Sequence, residues 1–438
     1  MRSTGMGAKS GGGEVQFDYL IGTEPGLTIA TPERIKCIAT TVRNWDVGIG
    51  THPKNRIREG ETMFGPTKPP SRAAGLFLIA GAAVFTGCAL TASMAEAAPA
   101  ATLPVTAIEL EPIPNPAIAY DRMAIAMGLP AKHGLDLKLG PDLAGGGPER
   151  VQAVVTKNTD VAVGDIIAAL GAIYSGAKVK VLMVMTPYGD EEIWGQNKYQ
   201  SMKDAEGQTW GVASLGGAQR FNAQMAVQGL GFNPDAFRWV ALGGGDGPSL
   251  QALDTGRTQL GSVSHLGAVL AEAKGFTKNI HALVPHTAKY TPPVPRLVVV
   301  ARAEWIKDHQ AEATAYVEMM IDMMRQWQDN ADTWVKPGEA IFKNSGMTAE
   351  QLEQGWRAFR DGGYFSVNGG VNLAATQKVM DLFFKIRNES PNQDLARPAD
   401  LYDTGPLKAA LDKMGVVKGA PGLPDTPDWY KGAAASKG

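Results

Sequence analysis

Cysteine is nearly missing from this chain. There are two in 438 residues, Cys37 and Cys88, and none beyond them. That excludes a disulfide framework and any thiolate metal site in the bulk of the chain. An excess of one charge is missing too: the formal net charge is −2, and Lys and Arg form no cluster. A nucleic-acid partner is therefore not expected. The apolar run Ala73–Phe85 falls short of the ~20 residues that span a bilayer comfortably. A serine nucleophile elbow, an HExxH pair and a Walker loop are all absent, and 243–249 fails the GxGxxG pattern because Pro248 holds its last position. No catalytic residues, no cofactor and no metal site are expected. Glycine, by contrast, is abundant at 52, as in a globular protein with many turns.

Residues 1–62 are polar, glycine-rich at the start and without sustained periodicity. They read as an extension ahead of the true start at Met63. From Met63 the chain shows basic Lys68 and Arg72, then the apolar run, then small residues through Ala95, Ala97 and Ala98. This is the three-part layout of a secretory signal peptide over 63–97. Export to the periplasm is expected. Two alternatives are a lipid anchor at Cys88 and a membrane-anchored ligand sensor held by 73–94.

The strongest internal signal is a repeat. Gly145–Asp165 (GGGPERVQAVVTKNTDVAVGD) matches Gly243–Ser264 (GGGDGPSLQALDTGRTQLGSVS). With Val151 laid on Leu250, Gln152 meets Gln251, Ala153 meets Ala252, Thr159 meets Thr258 and Val161 meets Leu260, without a gap. Each copy predicts a glycine loop, a helix opened near a proline (Pro148, Pro248), a polar turn and an apolar strand. Two glycine loops at two helix N-termini present backbone N–H groups, which can hold a small anionic solute if they face one another. The simpler alternative is that the glycines only make tight turns.

Read in order, the chain predicts strand, helix, strand, loop, helix, strand in its first half. Strands fall near 102–111, 135–139 and 161–165, and a helix starts at Pro116 with Tyr120, Met123 and Ala124 inward. The pattern calls for a mostly parallel sheet covered by helices. A helix over 166–176 and a buried strand over 179–185 follow. Residues 188–201 read as a polar, aromatic crossover and 201–207 as a short helix and turn. The pattern then restarts: strands at 209–213, 237–242 and 280–284, and a return strand at 296–301 after Pro292, Pro293 and Pro295. Beyond Arg302 the chain reads as helical. One long helix is expected over 305–327, its Met319, Met320, Met323 and Met324 filling the core. Thr348 with Gln351 fits a helix capping box.

These segments together resemble the periplasmic solute-binding proteins of ABC importers for nitrate, sulfonates and taurine. The residues that carry the resemblance are Asn115 and Pro116 after the first strand and HGLD at 133–136. DVAVGD at 160–165, SMKDAEG at 201–207 followed by WGVAS at 210–214, LVVVA at 297–301 and HQAE at 309–312 complete the set. The resemblance implies an α/β fold of two lobes, the type II periplasmic-binding fold, with two crossovers forming a hinge. It places one lobe at 103–190 plus 296–415, the other at 191–295, and a tail at 416–438. It implies a monomer that closes around a small solute, anionic or zwitterionic, and delivers it to an inner-membrane permease. A departure is that Gly145–Gly147 offer no hydroxyl. An enzyme of the same fold, resembling the thiamine-pyrimidine synthases, is the alternative; it calls for a cysteine-rich reactive segment.

Ligands of open parallel sheets sit beyond the strand ends. That rule selects Asn115, Gly146, Gly147, Asp165, Ser214, Gly217, Asp246 and His265. Asp165, Asp246 and Ser214 have helix capping as their alternative role, and His265 a structural one. Tyr188 and Trp194, in the crossover, either wall the ligand or pack the hinge. Arg150 and Arg220 are read as solvated, and His281 and His286 have poor spacing for a metal.

Overall fold

A computed structural model of the chain describes residues 102–108, 119–140, 146–189, 191–291, 294–343, 346–419 and 427–430. Asn115, Pro116, Gly145 and the expected signal peptide lie outside the described residues. Two five-stranded sheets, each covered by helices, make a two-lobed α/β fold.

The first sheet has the order β2-β1-β3-β10-β4. Its strands are β1 (Leu103–Ile108), β2 (Leu135–Leu139), β3 (Val161–Asp165), β4 (Val179–Thr186) and β10 (Leu297–Arg302). The second has the order β7-β6-β8-β5-β9. Its strands are β5 (Glu191–Gln196), β6 (Thr209–Val212), β7 (Arg238–Ala241), β8 (Leu260–Ser264) and β9 (Ile280–Val284). The two orders are the same plan. In each, four strands point one way, and the fourth position is held by the one antiparallel strand, β10 in one sheet and β5 in the other. Each antiparallel strand has just crossed from the other lobe, so each sheet is completed by chain that arrives from its neighbour.

The helices of the first half are α1 (Tyr120–Ala126), α2 (Leu129–Lys132), α3 (Gly147–Val155), α4 (Ile166–Tyr174), α5 (Ala218–Gly229), α6 (Asp246–Asp254) and α7 (His265–Ala273). Then come α8 (Ala303–Asp308), α9 (Gln310–Asp329), α10 (Asp332–Ile341), α11 (Ala349–Asp361), α12 (Leu373–Arg387) and α13 (Gly405–Met414). The repeat holds in three dimensions. The run α3, β3, α4 and the run α6, β8, α7 start and stop in one constant register. Apolar Val151 and Val154 in the first, and Leu250 and Leu253 in the second, are buried against their strands.

The first lobe's core is the larger. Val298, Val299 and Val300 of β10 and Met319, Met320, Met323 and Met324 of α9 are buried in one cluster with Trp327, Trp334 and Phe365. The methionine stripe therefore fills the core, as expected. The second lobe buries Trp210, whose ring stacks on Trp239 with centroids 4.7 Å apart. Thr348 and Gln351 form the capping box at the start of α11.

The structure differs from the sequence reading at three places. The stretch taken as a polar crossover contains β5, buried from Glu191 to Gly195. Its glutamates are hidden because each has partners. Glu191 binds the Arg296 guanidinium and accepts from Asn222. Glu192 accepts from Trp194 and bonds His265. Residues 201–207 are turns rather than a helix, anchored by buried Met202 and Ala205. The long helix is two, α8 and α9, broken at His309, whose ring stacks on Trp305 at 5.3 Å.

Arg296 and Glu191 lie on the two crossovers, and their side chains are 12% and 3% exposed. Removing one member of such a buried pair strands the other charge, at a cost of about 3–5 kcal/mol. Arg296→Met is expected to lower the unfolding free energy by about that much in denaturant titration; a loss below about 1 kcal/mol would make the pair incidental.

Candidate functional site

The described residues, all within 102–430, pack as one unit, and a cavity of about 90 Å³ lies between its two sheets. Both glycine loops reach it: Gly146 and Gly147 from one side, Gly244, Gly245 and Asp246 from the other. Ser214, Gly217 and Asp165 also line it, so six of the residues chosen from sequence share one cavity. Gly243 and Gly244 turn the second loop at φ values of 71° and 63°, the left-handed region that glycine enters without strain.

Arg150, Arg296, Gln219 and Ser264 line the cavity as well, and the sequence reading did not select them. Arg150 is buried, at 4% exposure, and donates to Val163 O at 2.7 Å. It is not a solvated surface group. Gln219 holds the wall together, accepting from Ala213 N at 2.6 Å and donating to Ser262 O at 3.1 Å. The signal for Arg150 was available, since it sits one turn into the first glycine helix. Arg296 had no local signal, because it reaches the cavity through the return crossover.

Three chosen residues lie elsewhere. Trp194 and His265 line a second cavity, of about 650 Å³, with Glu192, His286 and Tyr364. Tyr188 packs edge-on against Tyr364, centroids 6.1 Å apart. None of the three lines the cleft between the sheets. Asn115 lies outside the described residues. Among the described residues no group of three His, Cys, Asp or Glu is placed to hold a metal ion.

Two of the helix N-termini around the cleft, those of α3 and α4, are already capped by carboxylates of the chain, while the starts of α5 and α6 carry no side-chain cap. Glu149 Oε2 accepts from Gly146 N at 2.7 Å at the start of α3. Asp165 Oδ1 accepts from Ala168 N at 2.7 Å at the start of α4. The Ala218 N–H, at the start of α5 in the other lobe, lies close enough to the same carboxylate to favour its ionised form. Asp165 thus caps α4 and sits beside a helix start on the far side of the cleft. In the second lobe Asp246 Oδ1 accepts from Ser264 N at 2.9 Å and Oδ2 from Ser264 Oγ at 2.6 Å, while Ser264 Oγ caps α7 through Gly267 N. Asp165 takes the alternative, capping role, whereas Asp246 caps no helix itself and holds Ser264, the residue that does.

The repeat explains the pairing. In register, Gly147 corresponds to Asp246 and Asp165 to Ser264. One copy supplies its carboxylate from the strand end, opposite a glycine. The other supplies it from the helix start, opposite a serine. A Cβ on Gly147 would lie 1.8 Å from Asp165 Oδ2 and 2.5 Å from its Cγ, so the two positions cannot both carry side chains of that size. Burial raises the Asp165 pKa above its ordinary 3.8, against lowering by the Ala168 and Ala218 N–H groups and by Arg296 and Arg150.

No family model matches the chain, and no curated protein matches it. Solved structures do. One is the ligand-binding component of an ABC-type import system from Staphylococcus aureus with zinc bound: 16% identity, TM-score 0.56, covering 70% of this chain and 99% of that one. Another is the periplasmic nitrate-binding protein of Synechocystis: 15%, TM-score 0.55, 72% and 89%. A third is a putative sulfonate-binding protein of Methylobacillus flagellatus: 14%, TM-score 0.52, 72% and 95%. The fold is the periplasmic-binding-protein fold of ABC-type solute-binding proteins, with the strand plan described above.

Two outcomes follow from the carboxylate geometry. Gly147→Ala must displace Asp165, and is expected to cost about 1–3 kcal/mol in thermal or chemical denaturation. Gly146→Ala, whose nearest neighbour would be Ser214 Oγ at 3.5 Å, is expected to cost less than half as much. A carboxyl whose folded pKa is raised binds more protons folded than unfolded, so its contribution to stability falls as pH climbs past 3.8. The stability of the protein minus that of Asp165→Asn should therefore decrease with rising pH from that value upward, as read from denaturation curves at a series of pH values.

Proposed function

We propose that this protein is a non-enzymatic solute-binding protein of an ABC importer, working outside the cytoplasmic membrane. It captures a small solute in the cleft between its lobes and presents the closed form to a membrane permease. The observation that carries this reading is the cavity at which both glycine loops meet, within a fold shared with ABC-type solute-binding proteins. Ligand-driven closure requires only that the solute bind the closed state better than the open one.

Of the two charge classes raised by the sequence, the cleft favours the zwitterion. Its wall carries two carboxylates, Asp165 and Asp246, and two guanidiniums, Arg150 and Arg296. A bare inorganic anion would face the starts of α3 and α4, where Glu149 and Asp165 already accept from first-turn or cap N–H groups. A solute with both a hydrogen-bond-donating cationic end and an anionic end matches both kinds of wall. At about one water-sized sphere per 10–15 Å³, the cavity of about 90 Å³ accommodates roughly six to nine non-hydrogen atoms.

The pH dependence of affinity separates the classes. A cationic end beside Asp165 favours the ionised carboxylate, whose raised pKa is then lowered on binding, so affinity rises with pH. A purely anionic solute favours the protonated form, and its affinity rises as pH falls. A thermal-shift screen of inorganic anions, sulfonates, aromatic carboxylates, amines and small zwitterions identifies binders by their stabilisation of the fold. Calorimetric titration of the best hit between pH 5 and 8 should show tighter binding at the higher pH. Tighter binding at the lower pH would overturn the zwitterion, and no stabilising solute in the whole panel would remove the importer reading.

A further inference from the structure

Three residues chosen from the sequence but absent from the cleft, Tyr188, Trp194 and His265, converge around Tyr364. That residue lies just beyond α11, in the first lobe's core cluster. The chain after it is fastened to the first sheet, where Val184 N of β4 donates to Gly369 O at 2.9 Å. The Tyr364 hydroxyl lies 3.2 Å from His265 Nε2 and 3.4 Å from Gly189 O. His265 opens α7 in the second lobe, and Gly189 lies on the first crossover. His265 Nδ1 bonds Glu192 Oε1 at 2.9 Å, and Glu192 Oε2 accepts from Trp194 Nε1 at 2.9 Å. Since a carboxylate only accepts, the proton of the histidine–glutamate bond sits on Nδ1, and Nε2 meets the Tyr364 hydroxyl, whose one proton is shared between Nε2 and Gly189 O as acceptors or is met by an Nε2 proton. A continuous polar chain thus runs from the first lobe's C-terminal segment into the strand at the fourth position of the second lobe's sheet.

The apolar contact beside it is equally close. Leu266 and Val269 of α7 are buried in the first lobe's cluster, with Phe359 of α11. A Cβ on Gly355 of α11 would lie 2.3 Å from Leu266 Cδ1. The α7–α11 seam is therefore a third link between the lobes, besides the two crossovers.

We propose that Tyr364 is a positioning residue for the cleft: through His265 it ties the C-terminal layer of the first lobe to the second lobe and sets how far the lobes part. The strand orders locate the motion. In both sheets the crossover strands lie at one end, and β2 and β7 are the far edges. Parting of the lobes about the crossovers moves β2 and β7 the most, while Tyr364 acts close to the pivot. The hydroxyl is the part of Tyr364 that matters here, because its ring packs on Tyr188, His265 and Phe359 whether or not it carries oxygen.

The inference uses the hinge closure of the importer reading, but its test needs no solute. Full-length chain carrying Cys37→Ser and Cys88→Ser takes one dye at Lys138→Cys on β2 and one at Arg238→Cys on β7. Single-molecule energy transfer then gives the distribution of the edge-to-edge distance in buffer alone. A neutral hydrogen bond corresponds to a factor of roughly two to ten in an equilibrium. Tyr364→Phe is expected to lower the closed-to-open ratio by about that factor, with circular dichroism unchanged. His265→Gln should do the same, and the double variant should equal either single one. If Tyr364→Phe fails to fold, His265→Gln alone decides. A distance distribution unchanged in the folded variants, or fully additive effects in the double variant, would overturn the proposal. Failure of every solute to bind would overturn the importer reading and leave this result standing.

Discussion

The buried contact between Arg296 and Glu191 holds the architecture together. The two residues sit where the chain passes between lobes, one entering β5 and the other entering β10. Their side chains meet with Nε to Oε1 at 2.7 Å, and Asn222 of α5 completes the carboxylate from the second lobe. The backbone at Arg296 is held as firmly. Its N–H donates to Thr186 O on the first crossover, and its carbonyl accepts from Ile166 N at the start of α4. Two charges out of water are costly alone and acceptable only when each has several partners. The partners come from both lobes, which keeps the crossovers side by side and lets each deliver its strand antiparallel into the other sheet.

The same logic of internal partners governs the cleft. Glycine loops at helix starts are ordinarily open to an anion. Here the chain has placed carboxylates of its own at those starts, and it has done so by two routes in the two copies of the repeat. Asp165 faces Gly147, and Asp246 faces Ser264. Each arrangement fits one carboxylate and leaves no room for a second. The space remaining is small and lined by both signs of charge.

Much of the fold was legible because its periodicities were simple. The repeat, the apolar strands at 161–165 and 297–301 and the methionine stripe all announce themselves through spacing alone. The strand β5 did not, because EEIWGQ begins with two charges and carries no clean alternation. What makes it a buried strand is the presence of Arg296, Asn222, His265 and Trp194 around those charges, all but Trp194 distant in sequence. Arg150 was misjudged for the mirror reason. A charged residue one turn into a helix looks solvated, and only the approach of β3, offering Val163 O at 2.7 Å, turns it inward. The rule of strand ends found Asp165, Ser214, Gly217 and Asp246 because those positions follow from topology. It also picked His265, one residue past the in-register strand end Ser264; the His265 ring turns to Glu192 and Tyr364 instead.

Arg296 belongs at once to the crossovers and to the cavity wall. Its charge is set against Glu191 on the crossover side and acts on Asp165 on the cleft side. Asp165 caps α4 in the first lobe and lies beside the start of α5 in the second. Under the proposed importer reading, a charged solute in the cavity would act on Asp165 and, through the shared guanidinium, on the contact that holds the crossovers side by side.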